Sequence, residues 1–265
     1  EIMPSLVGSE MCIRDSTTGE YMIELKQIRK DYGECTVIKN QSLSIKDKEF
    51  FVLIGPSGSG KTTLLKLINR LIDPTEGDVL LNGKSVIDYP LRELRLNTGY
   101  VLQQIALFPN LTVAENIELV PVMKKWPKQI RKEQTTQLLS KVGLDPKIYA
   151  HRYPHELSGG EQQRVGIVRA IIGKPEILLM DEPFSALDPI SRRQLQDLIK
   201  TLHHELGLTI VFVTHNMEEA AYLGDRLCIM NHGEIIQTGT PDEIKSRPEN
   251  DFVARFFSRG CDGFE

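Results

Sequence analysis

The sequence predicts an α/β fold with a mainly parallel sheet and a helical insertion in its middle. Short apolar runs at 50–54, 177–180 and 209–213 are typical of buried strands, and each is followed by a turn and a helical pattern. Alternation of strands and helices indicates a parallel sheet. From about 109 to 172 the pattern is mostly helical, and four prolines divide it.

Length and composition indicate a globular protein of one large domain or two small ones, with 265 residues, 40% apolar and 26% charged. The net charge is −4, from 32 basic and 36 acidic residues, which argues against nucleic acid as the main partner. Apolar runs such as 50–54 are far shorter than the roughly 20 residues that span a bilayer. The four cysteines form no C-x-x-C pair and suit a reducing cytoplasm.

Residues 1–21 are not expected to belong to the fold. They have neither an apolar period nor the pattern of a signal peptide, and they resemble translated adapter sequence, so Met22 is the expected native start. The alternative is a natural disordered tail. The folded domain is expected over 22–258, followed by a tail at 259–265.

The strongest motif is a glycine-rich loop between a predicted strand and a predicted helix. Residues 55–62, GPSGSGKT, match G-x4-G-K-[ST] in the structural context that confirms this motif. Glycines let backbone N–H groups approach phosphates, and the following helix adds its positive N-terminal end. We expect Lys61 to reach the β- and γ-phosphates and the Thr62 hydroxyl to ligate Mg²⁺. The predicted ATP-binding residues here are Gly55, Pro56, Ser57, Gly58, Ser59, Gly60, Lys61, Thr62 and Thr63.

A later apolar run, 177–180, ends in two acidic residues. A phosphate loop in the same chain needs a carboxylate at the end of a buried strand, so Asp181 is expected to reach the Mg²⁺. Glu182 follows at once and is predicted to polarise or orient the attacking water. The alternative is that Asp181 ends a core strand without a metal and that Glu182 is a surface acid before Pro183.

Residues 157–163, LSGGEQQ, open a predicted helix. Ser158 with Glu161 forms a capping box, which alone would explain both residues. The two glycines between them leave a bare positive helix end that suits an anion. In a chain that also has a phosphate loop, this segment resembles the signature motif of the ATP-binding-cassette (ABC) ATPases. The resemblance covers 22 to about 257.

The resemblance implies a fold, a dimer and two bound groups. The fold is a P-loop NTPase core with a mainly parallel sheet and flanking helices, an N-terminal antiparallel β subdomain, and an α-helical subdomain inserted at about 105–172. In this family two ATPase domains close head to tail, so the signature of one binds the γ-phosphate held by the other. The residues acting in trans would be Ser158, Gly159, Gly160 and Gln162. ATP and Mg²⁺ are the expected cofactors.

Other family motifs match single positions. Tyr32 resembles the aromatic residue that stacks on adenine, although by itself it is an ordinary turn tyrosine. Gln103 resembles the switch glutamine that senses Mg²⁺, and His215 resembles the switch histidine that contacts the γ-phosphate. Asp188 ends a segment that resembles the family's loop that crosses the dimer, and it is also a predicted helix N-cap. The resemblance thus gives Glu182, His215 and Gln103 as catalytic residues, and Thr62, Gln103 and Asp181 as Mg²⁺ ligands.

Less universal stretches resemble the quaternary-amine uptake subfamily. These are TGYVLQQ at 98–104, LFPNLTVAENI at 107–117, RVGIVRA at 164–170 and MDEPFSALDPISR at 180–192. Members of the subfamily energise import of glycine betaine, carnitine, choline or ergothioneine. Many carry paired regulatory modules after the ATPase domain, and the sequence to Glu265 contains none, so osmotic regulation is not predicted here.

The resemblance therefore implies a peripheral ATPase at the cytoplasmic face of the membrane. Its expected partners are a second ATPase subunit in a homodimer, integral-membrane permease subunits and, indirectly, an extracytoplasmic substrate-binding protein or domain. No nucleic acid is expected. The alternatives are an importer ATPase for another substrate such as ergothioneine or an amino acid, a non-transport cassette ATPase, or a simple phosphotransferase, which would leave LSGGEQQ and His215 without a role.

Overall fold

The computed structural model describes residues 21–259 except 105 and 186. The strands are β1 (Tyr21–Tyr32), β2 (Cys35–Lys46), β3 (Phe50–Ile54), β4 (Glu76–Leu81), β5 (Lys84–Ser85), β6 (Thr98–Val101), β7 (Ile177–Asp181), β8 (Thr209–Thr214), β9 (Arg226–Asn231) and β10 (Glu234–Gly239). The α-helices are α1 (Lys61–Ile68), α2 (Leu91–Leu96), α3 (Val113–Met123), α4 (Lys128–Lys141), α5 (Pro146–Tyr149), α6 (Gly159–Ile171), α7 (Pro189–Leu206), α8 (Met217–Leu223), α9 (Pro241–Ser246) and α10 (Asp251–Arg259).

The predicted limits of the folded domain, 22 and 258, each lie one residue inside the described range of the chain. β1 begins at Tyr21, one residue before the expected start at Met22. Residues 1–20 and 260–265, which include most of both predicted tails, lie outside the described residues. The tail assignments therefore stay predictions.

A six-stranded sheet forms the centre of the fold, in the order β10-β9-β3-β8-β7-β6. All neighbours from β9 to β6 pair in parallel, and β10 pairs antiparallel with β9. Every residue of β3, β7 and β8 is buried, because helices or the second sheet cover both faces. The prediction of an α/β fold with a mainly parallel sheet is confirmed.

Alternate residues of the central strands enter two separate apolar cores. Phe50, Val52 and Ile54 of β3 pack into one core with residues of α6 and α7. Phe51 and Leu53 pack into the other, with α1 and the N-terminal strands. The period of two along β3 thus places the sheet between two apolar layers and fixes the orientation of its carboxyl end.

The N-terminal antiparallel subdomain is also present, as a four-stranded sheet in the order β2-β1-β4-β5. β4 and β5 form the hairpin predicted from Asn82 and Gly83, and both turn residues have positive φ, 50° and 74°. Positive φ at both positions matches the turn that the right-handed twist of hairpin strands prefers.

Between β6 and β7 the chain is helical, as predicted, and α3, α4, α5 and α6 all lie within 105–172. α3 and α6 begin with the predicted capping boxes, in which Thr112 pairs with Glu115 and Ser158 with Glu161. Pro121 does not divide two helices as the sequence pattern indicated. It lies buried inside α3, where the helix loses one backbone N–H donor without ending.

Two predicted elements have different limits in the structure. The helical pattern after the phosphate loop extends to Ile72, but α1 ends at Ile68 because Arg70 adopts a left-handed backbone with φ 47°. The strand expected at 100–103 lies two residues earlier, at 98–101, which places Gln103 beyond the strand end. Within the described part of the chain, no helix is both long and apolar enough to cross a membrane.

Candidate nucleotide-binding site

The glycine-rich loop joins β3 to α1 at the carboxyl edge of the central sheet, and two of its glycines have no room for a side chain. A Cβ at Gly55 would lie 2.1 Å from the backbone oxygen of Met230. At Gly60, where φ is +102°, it would lie 2.5 Å from Ile38 Cδ1. The close approach of β9 and β2 therefore explains why this loop needs glycine at both positions.

Lys61 is the first residue of α1, and its ammonium group turns back into the loop. Nζ donates to the carbonyl oxygens of Gly55 and Pro56, both at 2.7 Å, and to Ser59 Oγ at 3.4 Å. The side chain is buried. A buried ammonium beside a helix N-terminus makes this loop an anion-binding site.

Thr62 and Asp181 meet next to this loop. Thr62 Oγ1 donates to Asp181 Oδ1 at 2.9 Å, and Asp181 is only 7% exposed. Burial raises the pKa of Asp181, the Thr62 hydrogen bond opposes this, and the charge of Glu182 raises it further. The charges of Lys66 and Lys61 lower the pKa but do not cancel the rise. A hydroxyl beside a carboxylate is an oxygen donor set that fits Mg²⁺, and a divalent cation would add further positive charge there.

Gln103 and His215 converge on one oxygen of Glu182. Gln103 Nε2 donates to Glu182 Oε2 at 3.2 Å, and His215 Nδ1 lies 3.2 Å from the same atom. His215 is about half exposed and Glu182 is 19% exposed by side chain. The three predicted catalytic residues come from the ends of three neighbouring strands, β6, β7 and β8, so the parallel sheet brings them together.

Glu182 has a strained backbone. Its φ is +44°, in the left-handed region, which costs a residue other than glycine about 1–3 kcal/mol. The Glu182 amide donates to the Val213 carbonyl oxygen of β8 at 3.0 Å, and this bond holds the turn. The strain changes the direction of the chain directly after β7, so that Asp181 and Glu182 contact different partners.

The remaining residues of the phosphate loop and Tyr32 are more open. Ser57 and Gly58 are exposed, whereas Ser59 is buried. Tyr32 ends β1 with 49% of its surface exposed, and the Lys30 ammonium lies 5.1 Å from its ring centroid. An exposed ring at this position is available for stacking.

The first residues of the signature segment contact their own helix, and Gly159 faces outward. Ser158 N and Oγ donate to Glu161 Oε2 at 2.7 and 2.8 Å, and Gln162 Nε2 donates to the Leu157 carbonyl at 3.1 Å. A Cβ at Gly159 would meet no described atom within 4 Å. The structure therefore confirms the capping box and leaves the end of α6 open to the surface.

Asp188 begins α7, where its carboxylate accepts from the amides of Ile190 and Ser191 at 3.1 and 3.0 Å. The predicted N-cap is confirmed. A Cβ at Gly160 would lie 3.9 Å from Ser191, so the signature helix and the start of α7 are neighbours in one chain. The two segments expected to contact a second subunit thus form adjacent surface.

The sequence analysis did not predict the hydrogen bonds of Thr214, the residue that directly precedes His215. Thr214 Oγ1 donates to Glu219 Oε2 at 2.6 Å and accepts from the Asn216 amide at 3.0 Å. Asn216 in turn caps α8 by accepting from the Glu219 amide. An asparagine followed three residues later by a glutamate is an N-cap signal, and the sequence contains it.

The fold and the phosphate loop define a P-loop NTPase. A family model described as ABC transporter matches residues 38–185, which is more than half of the chain. This chain therefore belongs to the ABC transporter ATP-binding family, as its motifs predicted.

Curated relatives agree. The chain is 50% identical over 239 residues to the glycine betaine/carnitine/choline transport ATP-binding protein OpuCA of Bacillus subtilis (strain 168), covering 90% of this chain and 63% of OpuCA. It is 44% identical over 238 residues to the glycine betaine uptake system ATP-binding protein YehX of Escherichia coli (strain K12), covering 90% of this chain and 77% of YehX. The chain thus spans somewhat less than two thirds of OpuCA.

A solved structure shows the same fold. It is the dimeric post-hydrolysis state of an ATP-binding cassette bound to ADP and Pi, with a TM-score of 0.75 and 36% sequence identity. The similarity covers 83% of this chain and 99% of that one. The whole of that cassette therefore has a counterpart here.

Proposed function

We propose that this chain is the ATP-binding and hydrolysing subunit of a bacterial importer for a quaternary amine such as glycine betaine, carnitine or choline. The observation that carries the ATPase activity is the convergence of Gln103 and His215 on Glu182, beside a phosphate loop. The substrate class rests on the relatives, whose names specify glycine betaine, carnitine or choline transport.

In this proposal residues of the cleft hold the nucleotide and Mg²⁺. Lys61 and the loop amides hold the β- and γ-phosphates, and Tyr32 stacks on the adenine. Thr62, Asp181 and Gln103 would hold Mg²⁺, which when bound supplies positive charge to the phosphate oxygens.

Glu182 is the general base. Its carboxylate accepts a proton from the water that attacks the γ-phosphate. Gln103 and His215 orient that carboxylate from two sides, as their 3.2 Å contacts with one oxygen suggest. His215 is half exposed and can also reach the γ-phosphate.

A second copy of the chain completes the site in this proposal. The start of α6 is open at Gly159, where a side chain would meet no described atom within 4 Å. Ser158, Gly159, Gly160 and Gln162 would then bind the γ-phosphate held by the other copy, and Asp188 would lie at the contact. Head-to-tail pairing is supported by the dimeric cassettes among the structural neighbours.

The loop before α3 is a docking surface for the permease in this proposal. Phe108 is 51% exposed, yet its backbone is held rigidly by buried Asn116, which accepts from the Phe108 amide and donates to the Phe108 and Leu111 carbonyls. A fixed, exposed aromatic ring is typical of a binding anchor. Docking there would place the chain at the cytoplasmic face of the membrane, with the substrate-binding protein acting through the permease.

The dimer is tested by Ser158→Arg. A bulky cation at the open end of α6 should abolish hydrolysis while the nucleotide affinity of the isolated monomer stays unchanged, because Ser158 acts on the other copy. Thr240→Arg is the matched control, since Thr240 forms the same kind of capping box with Glu243 at the start of α9. Both variants lose about 1 kcal/mol of cap energy. Equal hydrolysis by the two variants would contradict the shared site.

The whole proposal is tested by uptake in cells. Labelled glycine betaine, carnitine, choline and ergothioneine are supplied to a strain without other betaine importers, which carries either the wild-type chain or Glu182→Gln with its permease. We expect Glu182→Gln to abolish uptake of at least one of the first three compounds. Loss of ergothioneine uptake alone would indicate the other importer, and unchanged uptake of all four would refute quaternary-amine import.

A further inference from the structure

Arg192 lies one turn into α7 and holds the segment that precedes this helix. Its Nη2 donates to the Leu187 carbonyl oxygen at 3.1 Å, and its backbone amide donates to the Asp188 carbonyl at 2.9 Å. One residue thus fixes two successive carbonyl groups next to the proposed subunit contact.

The same guanidinium reaches a carboxylate on a different helix. Arg192 Nε lies 3.6 Å from Glu219 Oε1 of α8, and the Glu219 side chain is only 8% exposed. The other oxygen of Glu219 accepts from Thr214 Oγ1 at 2.6 Å. Thr214 is the last residue of β8 and directly precedes His215.

A continuous set of contacts therefore joins two functional segments of the chain. It runs from the Leu187 carbonyl through Arg192, Glu219 and Thr214 to His215. His215 in turn contacts Glu182. The Arg192–Glu219 contact is an ion pair and not a hydrogen bond, since Arg192 Nε has no hydrogen-bond partner among the described residues. Removing Arg192 would still leave the Glu219 carboxylate buried without its opposite charge, which is costly.

We infer that Arg192 and Glu219 are positioning residues, which couple the segment at 187–188 to His215. Neither residue belongs to the phosphate loop, and neither is among the residues proposed to hold the nucleotide or Mg²⁺. A shift of Leu187 and Asp188 when a second subunit docks would move the Arg192 guanidinium, and through Glu219 the end of β8. The inference rests on the proposed ATPase function, and it adds a route by which subunit contact orders the His215 side chain.

The test compares neighbouring arginines on α7. Arg192→Gln and Glu219→Gln each remove one charge of the pair, and Glu219→Gln keeps the shape of the side chain and its acceptor for Thr214. The control is Arg193→Gln, because Arg193 pairs with exposed Asp197 at 3.6 Å and stacks on the Tyr222 ring of α8 at 3.6 Å. Arg193 thus also joins α7 to α8, but through Tyr222 and not through Glu219. Thermal unfolding first establishes which variants are folded, and Glu219→Gln carries the test if Arg192→Gln is not.

Steady-state ATP hydrolysis of the full chain is then measured. We expect kcat to fall about tenfold in Arg192→Gln and Glu219→Gln, with KM within about twofold of wild type, because positioning acts on the reaction step and not on nucleotide binding. Arg192→Lys should recover part of kcat, since an ammonium keeps the charge but not the planar fork. Arg193→Gln should stay within about twofold of wild type in both constants.

A second cycle separates coupling from general damage. Combined with His215→Ala, Glu219→Gln should cost no more than about twofold beyond His215→Ala alone, because both changes break the same route. If the double variant loses kcat by the product of the two single losses, the inference is overturned. A change in KM instead of kcat would overturn it as well. A wild-type chain that hydrolyses no ATP would instead refute the proposed function, so the two failures are distinguishable.

Discussion

Both the carboxyl edge and the amino edge of the central sheet carry charged and polar side chains, but the exposure and the contacts of these side chains differ. At the carboxyl edge, Glu182 stands on a strained backbone and meets Gln103 and His215 at 3.2 Å, with His215 half exposed. At the amino edge, Arg226 donates to Glu49 at 2.9 Å, and the Glu49 side chain is only 6% exposed.

Two further contacts at the amino edge are also short hydrogen bonds. The Phe50 amide donates to Asp225 at 2.8 Å, and His203 Nε2 donates to the Lys48 carbonyl at 3.0 Å. Short bonds between these groups satisfy them within the protein, so these contacts serve stability. At the carboxyl edge, Gln103, Glu182 and His215 are partly exposed and their mutual contacts are long, at 3.2 Å, which leaves them able to engage a nucleotide. Changes at one edge should therefore alter chemistry, and changes at the other should alter stability.

The largest effect is expected for Glu182→Gln. The substitution preserves shape and can keep the contact with Gln103, but the amide cannot accept a proton. We expect hydrolysis to fall at least about 10²-fold. The free energy of unfolding should change by less than about 1 kcal/mol, because Glu182 lies on the functional edge.

Phosphate release and urea unfolding measure the two quantities for Glu182→Gln. Nucleotide affinity, followed by fluorescence titration, is the control and should not change. If the rate stays near that of wild type, Glu182 is not the base. If stability instead falls by several kcal/mol, the contrast between the edges is wrong.

The sequence predicts the carboxyl edge much better than the amino edge. The phosphate loop and Asp181 follow directly from local patterns, because glycines, a lysine and a strand-ending acid are each required by phosphate and metal chemistry. Gln103 and His215 have no such local pattern, and only the family resemblance identified them. Their meeting at Glu182 depends on strand order, which no single segment encodes.

Contacts at the amino edge and around Arg192 could not be predicted from the sequence, because they join residues of different strands or different helices. Glu49 and Arg226 are separated by 177 residues, and they meet only because β3 and β9 are neighbours in the sheet. Arg192 and Glu219 belong to different helices. The early end of α1 was missed because the apolar period continues past Arg70, whose left-handed backbone carries no glycine or asparagine as a signal.

At the amino edge the larger effect is expected for Arg226→Ala. The change leaves the Glu49 carboxylate buried, with the Lys46 amide still donating to it at 2.6 Å. Loss of a partner from a fully buried pair costs about 3–5 kcal/mol. We expect about 2 kcal/mol here, because Arg226 is 28% exposed and partly screened by solvent.

Urea unfolding measures the loss for Arg226→Ala. Lys39→Ala is the matched control, since Lys39 pairs with Glu234 at the surface with 46% and 50% exposure, and it should change stability by less than about 0.5 kcal/mol. ATP hydrolysis per folded molecule should be unaffected by either change. A large loss of kcat in folded Arg226→Ala would show that the amino edge also serves the chemistry.

The smallest effect is a pH dependence of stability from His203. Burial lowers the pKa of His203, while the Lys48 carbonyl and Asp225 oppose the shift and His204 adds to it. As pH falls through about 6.5, the unfolded chain takes up a proton at His203 and the folded chain does not, so folding stability is lost with falling pH down to the lowered folded pKa. Between pH 7.5 and 5.5 we expect the thermal midpoint of wild type to fall about 2 °C more than that of His203→Gln.

The neighbouring exposed residue provides the control for His203. His204→Gln removes an imidazole from the same helix end and should keep most of the pH dependence of wild type, because burial is the largest cause of the lowered His203 pKa and His204 only adds to it. The measurement is a series of thermal unfolding curves across this pH range at constant ionic strength. Equal slopes in all three proteins would mean that His203 can be protonated in the folded state without cost. In that case burial of the amino-edge groups would not distinguish this edge from the carboxyl edge in stability.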